Sequence, residues 1–184
     1  MARLVLINGA PGSGKSTLAR MYAEAHPLTL ALDIDVVRAM LGRWLDHPTD
    51  AGLIARAMAV AMARVQLMAG RDVVVPQFLG RVEFIVELER LCQQVGADFV
   101  ELALLSNPQD LTRRFVHRSR HPETPAHRDA AVLMERSGGV QELRAMNRRL
   151  LEVVASRPGT RTVMTLAGEP DRAYRDLLAL INQR

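Results

Sequence analysis

The sequence predicts an α/β fold, a five-stranded parallel sheet flanked by helices. Three observations carry it. Short aliphatic runs alternate with longer stretches of helical periodicity. The first run leads straight into a glycine-rich loop that opens a helix. The 184 residues, 48% hydrophobic, are enough for one domain that folds without a disulfide or metal staple.

The elements follow in order. Arg3–Asn8 reads as a buried strand, and a helix starts near Lys15 and runs to Ala25. Leu28–Leu32 is a second strand ending at Asp33 and Asp35. Ile34–Leu45 reads as helical. A longer helix spans Asp50–Ala69 and stops at Gly70. On it Met58, Met62 and Met68 are expected to pack on the apolar side. Asp72–Val75 is a third strand stopped by Pro76, and Val82–Val95 a helix stopped by Gly96. Phe99–Leu105 is a fourth strand. Pro108 suits the start of a helix reaching about Arg118. Residues 117–128, polar with two Pro and three His, read as a mobile segment. Helix resumes at Asp129 with a break at Ser137–Gly139 and runs to Ala155. Arg161–Leu166 is a fifth strand and Pro170–Ile181 a final helix. The whole chain, 1–184, reads as a single domain.

Composition narrows the class. The lone Cys92 excludes an internal disulfide and a multi-cysteine metal site, and its helical setting reads as a packed thiol. No apolar run approaches the roughly 18 residues of a membrane span, and the first residues lack a signal-peptide shape. A cytoplasmic protein with no membrane partner is expected. The net charge of +4 is dispersed and aromatics are 4%, so nucleic acid is not favoured as a partner. The 24 basic residues are 23 Arg and one Lys, and that Lys15 falls in the glycine loop.

Gly9-Ala10-Pro11-Gly12-Ser13-Gly14-Lys15-Ser16 matches GxxxxGK[ST] between a strand and a helix. Glycines there let successive N–H groups turn inward on phosphate oxygens, and the helix N-terminus adds more. Lys15 is placed to reach the β- and γ-phosphates and Ser16 to ligate Mg²⁺, with Thr17 supporting the loop. ATP and Mg²⁺ are the expected cofactors. Asp33 and Asp35 stand at the end of the second strand, where they border the same crevice, and alternation points them to one side. One carboxylate suits metal-bound water and the other suits the proton of an acceptor hydroxyl. Capping the following helix is the competing role.

This motif set resembles the small P-loop kinases, the zeta-toxin, chloramphenicol phosphotransferase and polynucleotide-kinase-like group, over nearly the whole chain. The resemblance implies the P-loop NTPase fold. It also implies that Asp35, in Asp35-Val36-Val37-Arg38, is the base toward the acceptor hydroxyl, and that Arg38 holds the acceptor. It further implies a helical lid, at about residues 117–128, whose arginines close on the phosphates, with Arg118, Arg114 and Arg120 as candidates. The loop Ala167–Pro170 would border adenine, with Arg114 on its other face. His117, His121 and His127 read as solvated. One departure stands out: the third strand ends without an acid. That leaves Ser16 with Asp33 for the metal, and Gln77 as a contact to the acceptor. The acceptor side spans Arg38–Gln77 and includes Arg43, Trp44 and Arg56.

The reading is a phosphotransferase moving the γ-phosphoryl of ATP to a hydroxyl of an antibiotic-, sugar- or nucleotide-like small molecule. A polynucleotide 5′-hydroxyl kinase and a non-catalytic ATP-binding regulatory module are the alternatives; oligomeric state is open. A guanidinium is too broad and planar to sit as a point charge between phosphates. Lys15→Arg is therefore expected to abolish measurable nucleotide turnover, read by product release from labelled ATP.

Overall fold

The computed structural model describes residues 1–122 and 125–183. Strands β1 (Arg3–Gly9), β2 (Leu30–Ala31), β3 (Val73–Gln77), β4 (Asp98–Leu105) and β5 (Arg161–Met164) form one sheet in the order β2-β3-β1-β4-β5. Every neighbouring pair is parallel. The helices are α1 (Lys15–Ala25), α2 (Ile34–Ala39), α3 (Pro48–Met68), α4 (Glu83–Val95), α5 (Pro108–Arg120), α6 (Pro125–Arg136), α7 (Val140–Ser156) and α8 (Pro170–Asn182).

Strand alternation divides the core into two layers. Leu4, Leu6, Val73 and Val75 pack against α3 and α4 on one face. Val5, Ile7, Val74, Leu102 and Leu104 pack against α1 and α8 on the other. Central strands covered on both faces are apolar throughout, which is why β1 and β3 read as continuous hydrophobic runs. A third cluster joins Ala10 of the glycine loop to Leu111, Phe115, Met134 and Leu143 of α5, α6 and α7. These three helices are thus seated on the loop itself.

Four expectations are corrected. β3 does not stop at Pro76 but runs through it to Gln77, with Pro76 beside Ile7 of β1. The carbonyls of Asp72 and Val74 accept from Leu30 and Leu32, so Pro76, of the same parity, turns its missing N–H toward β2. Strand β2 has already ended at Ala31, and no ladder bond is lost. Helix α2 ends at Ala39 rather than Leu45; Arg43 takes a left-handed φ of 53° and a 3₁₀ turn, Trp44–Asp46, follows. The helices on either side of residues 117–128 reach further into that segment than the sequence suggests. α5 continues through Arg120 and α6 begins at Pro125, with 123–124 and the His127 side chain outside the described residues. Leu111 and Phe115 anchor α5, and His117, Arg118 and Arg120 sit in its last turn, where cations favour the helix dipole.

The fourth correction concerns α3. Its buried stripe is Ala51, Ala55, Ala59, Ala63 and Leu67, and Met58, Met62 and Met68 are turned outward. The helix is apolar nearly all round, so periodicity alone does not select the core face. With 21 residues and a mean hydropathy of 1.3 over its most apolar window, α3 is long and apolar enough to cross a membrane by length and composition, with 28% of that window buried. Cys92 is buried on α4, and burial pushes its thiol up to about 11.

Asp72, just before β3, ties three elements together away from the loop. Its carboxylate accepts from the backbone N–H of Arg3 at 3.0 Å and from the Tyr22 hydroxyl at 2.9 Å. Burial, and then this hydrogen bond, raise the Tyr22 phenol above its ordinary range. Tyr22→Phe is expected to lower unfolding free energy by about 1–2 kcal/mol, because it removes one partly buried hydrogen bond to a charged acceptor. Urea denaturation measures it.

Candidate active site

The site lies at the carboxyl ends of β1 and β3, where a doubly wound sheet opens a crevice. Its floor is the Gly9–Ser16 loop. Gly12 and Gly14 have φ of 87° and 96°, which a Cβ disfavours. A Cβ at Gly12 would also stand 3.3 Å from the backbone N of Phe115, so α5 approaches the loop as closely as it does only over a glycine. A Cβ at Gly9 would lie 2.5 Å from the Ser13 hydroxyl. That hydroxyl is buried without a partner.

Lys15 Nζ donates to the Ala10 carbonyl at 3.1 Å, which folds the ammonium back over the loop. Burial, and then the Arg118 guanidinium, pull its pKa down to about 8; Asp35 and Asp33 oppose them. Burial likewise lowers Arg118, again against Asp35 and Asp33. Two cations and two carboxylates therefore gather beside the loop. Arg118 reaches it because it stands one helical turn from Phe115, whose ring lies 5.7 Å from its guanidinium.

Asp33 occupies two roles at once. One oxygen accepts from the backbone N–H of Asp35 at 3.0 Å and caps α2. The other accepts from the Ser16 hydroxyl at 3.1 Å. Burial, and then the neighbouring Asp35, raise its pKa above the ordinary carboxylate range. Asp35 pairs with Arg38 at 2.9 Å, and the Arg38 guanidinium lies over the buried Trp44 ring at 4.4 Å. Among the described residues, buried Arg38 Nε has no hydrogen-bond partner, nor has Oε1 of Gln77 at the end of β3.

On the other side of the loop a cleft of about 120 Å³ is lined by Thr17, Arg114, Thr165, Leu166, Gly168 and Pro170, among others. Arg114 reaches the Thr165 hydroxyl at 3.4 Å, and its Nε has no hydrogen-bond partner among the described residues. Arg120 is not brought to this group. It is exposed, on a separate groove with His117, His121 and Arg144. The helical phase explains it: Arg114 and Arg118 are four residues apart on one face of α5, and Arg120 is on another.

Two supporting residues escaped the sequence reading. Buried Asn8 accepts from Gly9 and Leu79 N–H groups, each at 2.8 Å, and donates to the Leu79 carbonyl at 3.0 Å. It rivets the glycine loop to the turn after β3. Thr165, also buried, shares a 2.6 Å hydrogen bond with Ser106. A polar residue closing an apolar strand run was the signal available for both.

The fold and this loop define a P-loop nucleotide-binding α/β domain of the kind found in small P-loop kinases. Residues 4–143 match the AAA domain family designated AAA_33, and the chain belongs to that family. An uncharacterized protein of Mycobacterium tuberculosis strain H37Rv is 30% identical over 145 residues, 73% of this chain. The chain spans 29% of that relative's length. Three solved structures share the fold. The Deinococcus radiodurans tunicamycin resistance protein has a TM-score of 0.63 at 13% identity, covering 100% of this chain and 98% of its own. The Mycobacterium tuberculosis APS kinase CysC, in complex with AMPPNP and APS, has a TM-score of 0.62 at 17% identity over 99% and 98%. A Sinorhizobium meliloti gluconokinase has a TM-score of 0.59 at 20% identity over 95% and 89%.

The depressed Lys15 pKa has a consequence for binding. Between about pH 8 and the ordinary lysine value the free site holds part of its amine neutral. A bound polyphosphate favours the ammonium and raises the pKa, so nucleotide binding there takes up protons. Calorimetry at pH 8.5 in buffers of different ionisation enthalpy is expected to show net uptake. At pH 6.5, where the ammonium is already formed, this uptake disappears.

Proposed function

We propose that the chain is an ATP-dependent phosphotransferase that moves the γ-phosphoryl group to a hydroxyl of a small-molecule acceptor. The observation that carries this reading is the convergence of Lys15, Arg118, Asp33 and Asp35 on one desolvated crevice beside the glycine loop. In this reading the backbone of Gly9–Ser16 cradles the β- and γ-phosphates, and Lys15 leaves the Ala10 carbonyl to meet them. Arg118 stabilises charge on the transferring group. Arg114, Thr165 and the Gly168–Pro170 loop hold the adenine side.

Ser16 and Asp33 fit a magnesium site. They are two adjacent hard-oxygen donors, and among the described residues no cluster of three His, Cys, Asp or Glu forms a cage. Mg²⁺ is commonly held by one or two protein oxygens together with phosphate oxygens and water. When bound it supplies charge neutralisation on the phosphates.

Asp35 orients the acceptor hydroxyl and takes its proton, while Arg38 fixes the Asp35 carboxylate and offers its free Nε to the acceptor. Gln77 offers the acceptor a carbonyl oxygen. The acceptor side is roofed by α6, where Arg136 donates to the Leu45 carbonyl at 3.3 Å. That roof favours a small acceptor over a nucleic-acid end.

Asp35→Asn tests the assignment. ATP affinity is expected to stay within about threefold while transfer falls by about 10²–10⁴-fold, the usual contribution of a positioned base. Product mass after incubation with ATP and a panel of hydroxylated acceptors measures it. Equal loss of binding and transfer would give Asp35 a structural role.

A further inference from the structure

The outward face of α3 is unpartnered among the described residues. Opposite the buried alanine stripe run Ile54, Met58, Ala61, Val65 and Met68, spaced 4-3-4-3. This is the spacing of a helix seam that meets another helix. The four large side chains are 49%, 38%, 72% and 70% exposed, and Ala61 is exposed between them. Leu53 and Met62 flank the seam, also exposed.

Charge has been kept off this face. The helix body carries two cations, and both fold toward α4. The Arg56 guanidinium lies 5.5 Å from the Phe84 ring centre, and Arg64 Nη2 donates to Gln94 Oε1 at 2.6 Å. What remains between Ile54 and Met68 is an uncharged strip two heptads long. Its exposed apolar area is on the order of 600 Å², at the upper end of what the largest patch on a monomer reaches. That is most of the roughly 800 Å² per partner in a standard interface. A single seam with apolar residues at every position complements itself, as a two-fold contact requires.

We infer that α3 is the interface of a homodimer, in which the Ile54–Met68 seams of two copies pack antiparallel across a two-fold axis. The antiparallel sense sets each helix dipole against the opposite end of its partner. Ala61, the one small residue on the seam, lets the helices approach near the middle. This inference rests on the surface of α3 alone and is independent of the catalytic reading.

Sedimentation equilibrium of the whole chain between about 1 and 100 μM tests it, since an interface of this class associates in or below that range. A two-fold mass is expected, with Val65→Glu raising the dissociation constant at least tenfold and Arg20→Glu, an exposed change on α1, leaving the dimer intact. Thermal melting and nucleotide binding check that Val65→Glu still folds. Should it not fold, Met68→Glu at the end of the helix serves instead. Peroxide footprinting of the unaltered chain is a second readout: Met58 and Met68 should become protected as concentration rises, and the exposed Met40 should not. A monomer throughout the range, a dimer indifferent to both seam variants, or flotation of a monomer with phospholipid vesicles would overturn the inference.

Discussion

The chain between β1 and α1 must turn with its N–H groups facing inward, and only glycines at Gly12 and Gly14 give it the left-handed torsions to do so. The rest of the site is arranged around that turn. Asn8 fixes its entry to the end of β3, Phe115 rests against Gly12, and Ser16 at its exit is held by Asp33. Each contact brings a separate segment into register: the turn after β3, the lid helix α5, and the end of β2. One conformational constraint at eight residues thereby sets the relative positions of three elements far apart in sequence.

Electrostatics complete what packing begins. Burial lowers the tendency of both Lys15 and Arg118 to be charged, Arg118 adds to the effect on Lys15, and Asp33 and Asp35 work against it. The arrangement is balanced in charge but crowded, and each group is partly stripped of water. Other anchoring interactions lie away from the site. Arg157 bridges Glu101 at 2.7 Å and Glu89 at 3.0 Å, and Thr160 donates to Glu101 at 2.8 Å. They fix the end of α7 to β4 and α4.

Much of this was legible from residues alone. The glycine loop was read from a gapless motif in its strand–helix setting, and Asp33 and Asp35 from their place at a strand end. Five strands were counted because each parallel strand is a short apolar run. Three things were not legible, each for a physical reason. Pro76 looks like a strand terminator, and only the early end of β2 makes it harmless. The core face of α3 was hidden because alanine, the weakest hydrophobic signal, is what a close-packed helix buries, while the stronger signals from Met and Val face outward. The facing ends of α5 and α6 were drawn short because the charge of residues 117–128 outweighs their helical pattern.

The solitary lysine also gives the protein an unusual chemical vulnerability. Side-chain amines are the usual targets of acylating metabolites and of simple aldehydes that form Schiff bases, and in most proteins dozens of surface lysines dilute the damage. Here the 23 arginines carry no such amine, so that chemistry falls on Lys15 alone among the side chains. With its pKa near 8, a fraction of that amine is unprotonated and nucleophilic in mildly alkaline solution. A single adduct would silence the loop, and a bound polyphosphate would shield it. Resistance to amine-directed inactivation therefore becomes a direct gauge of how full the crevice is.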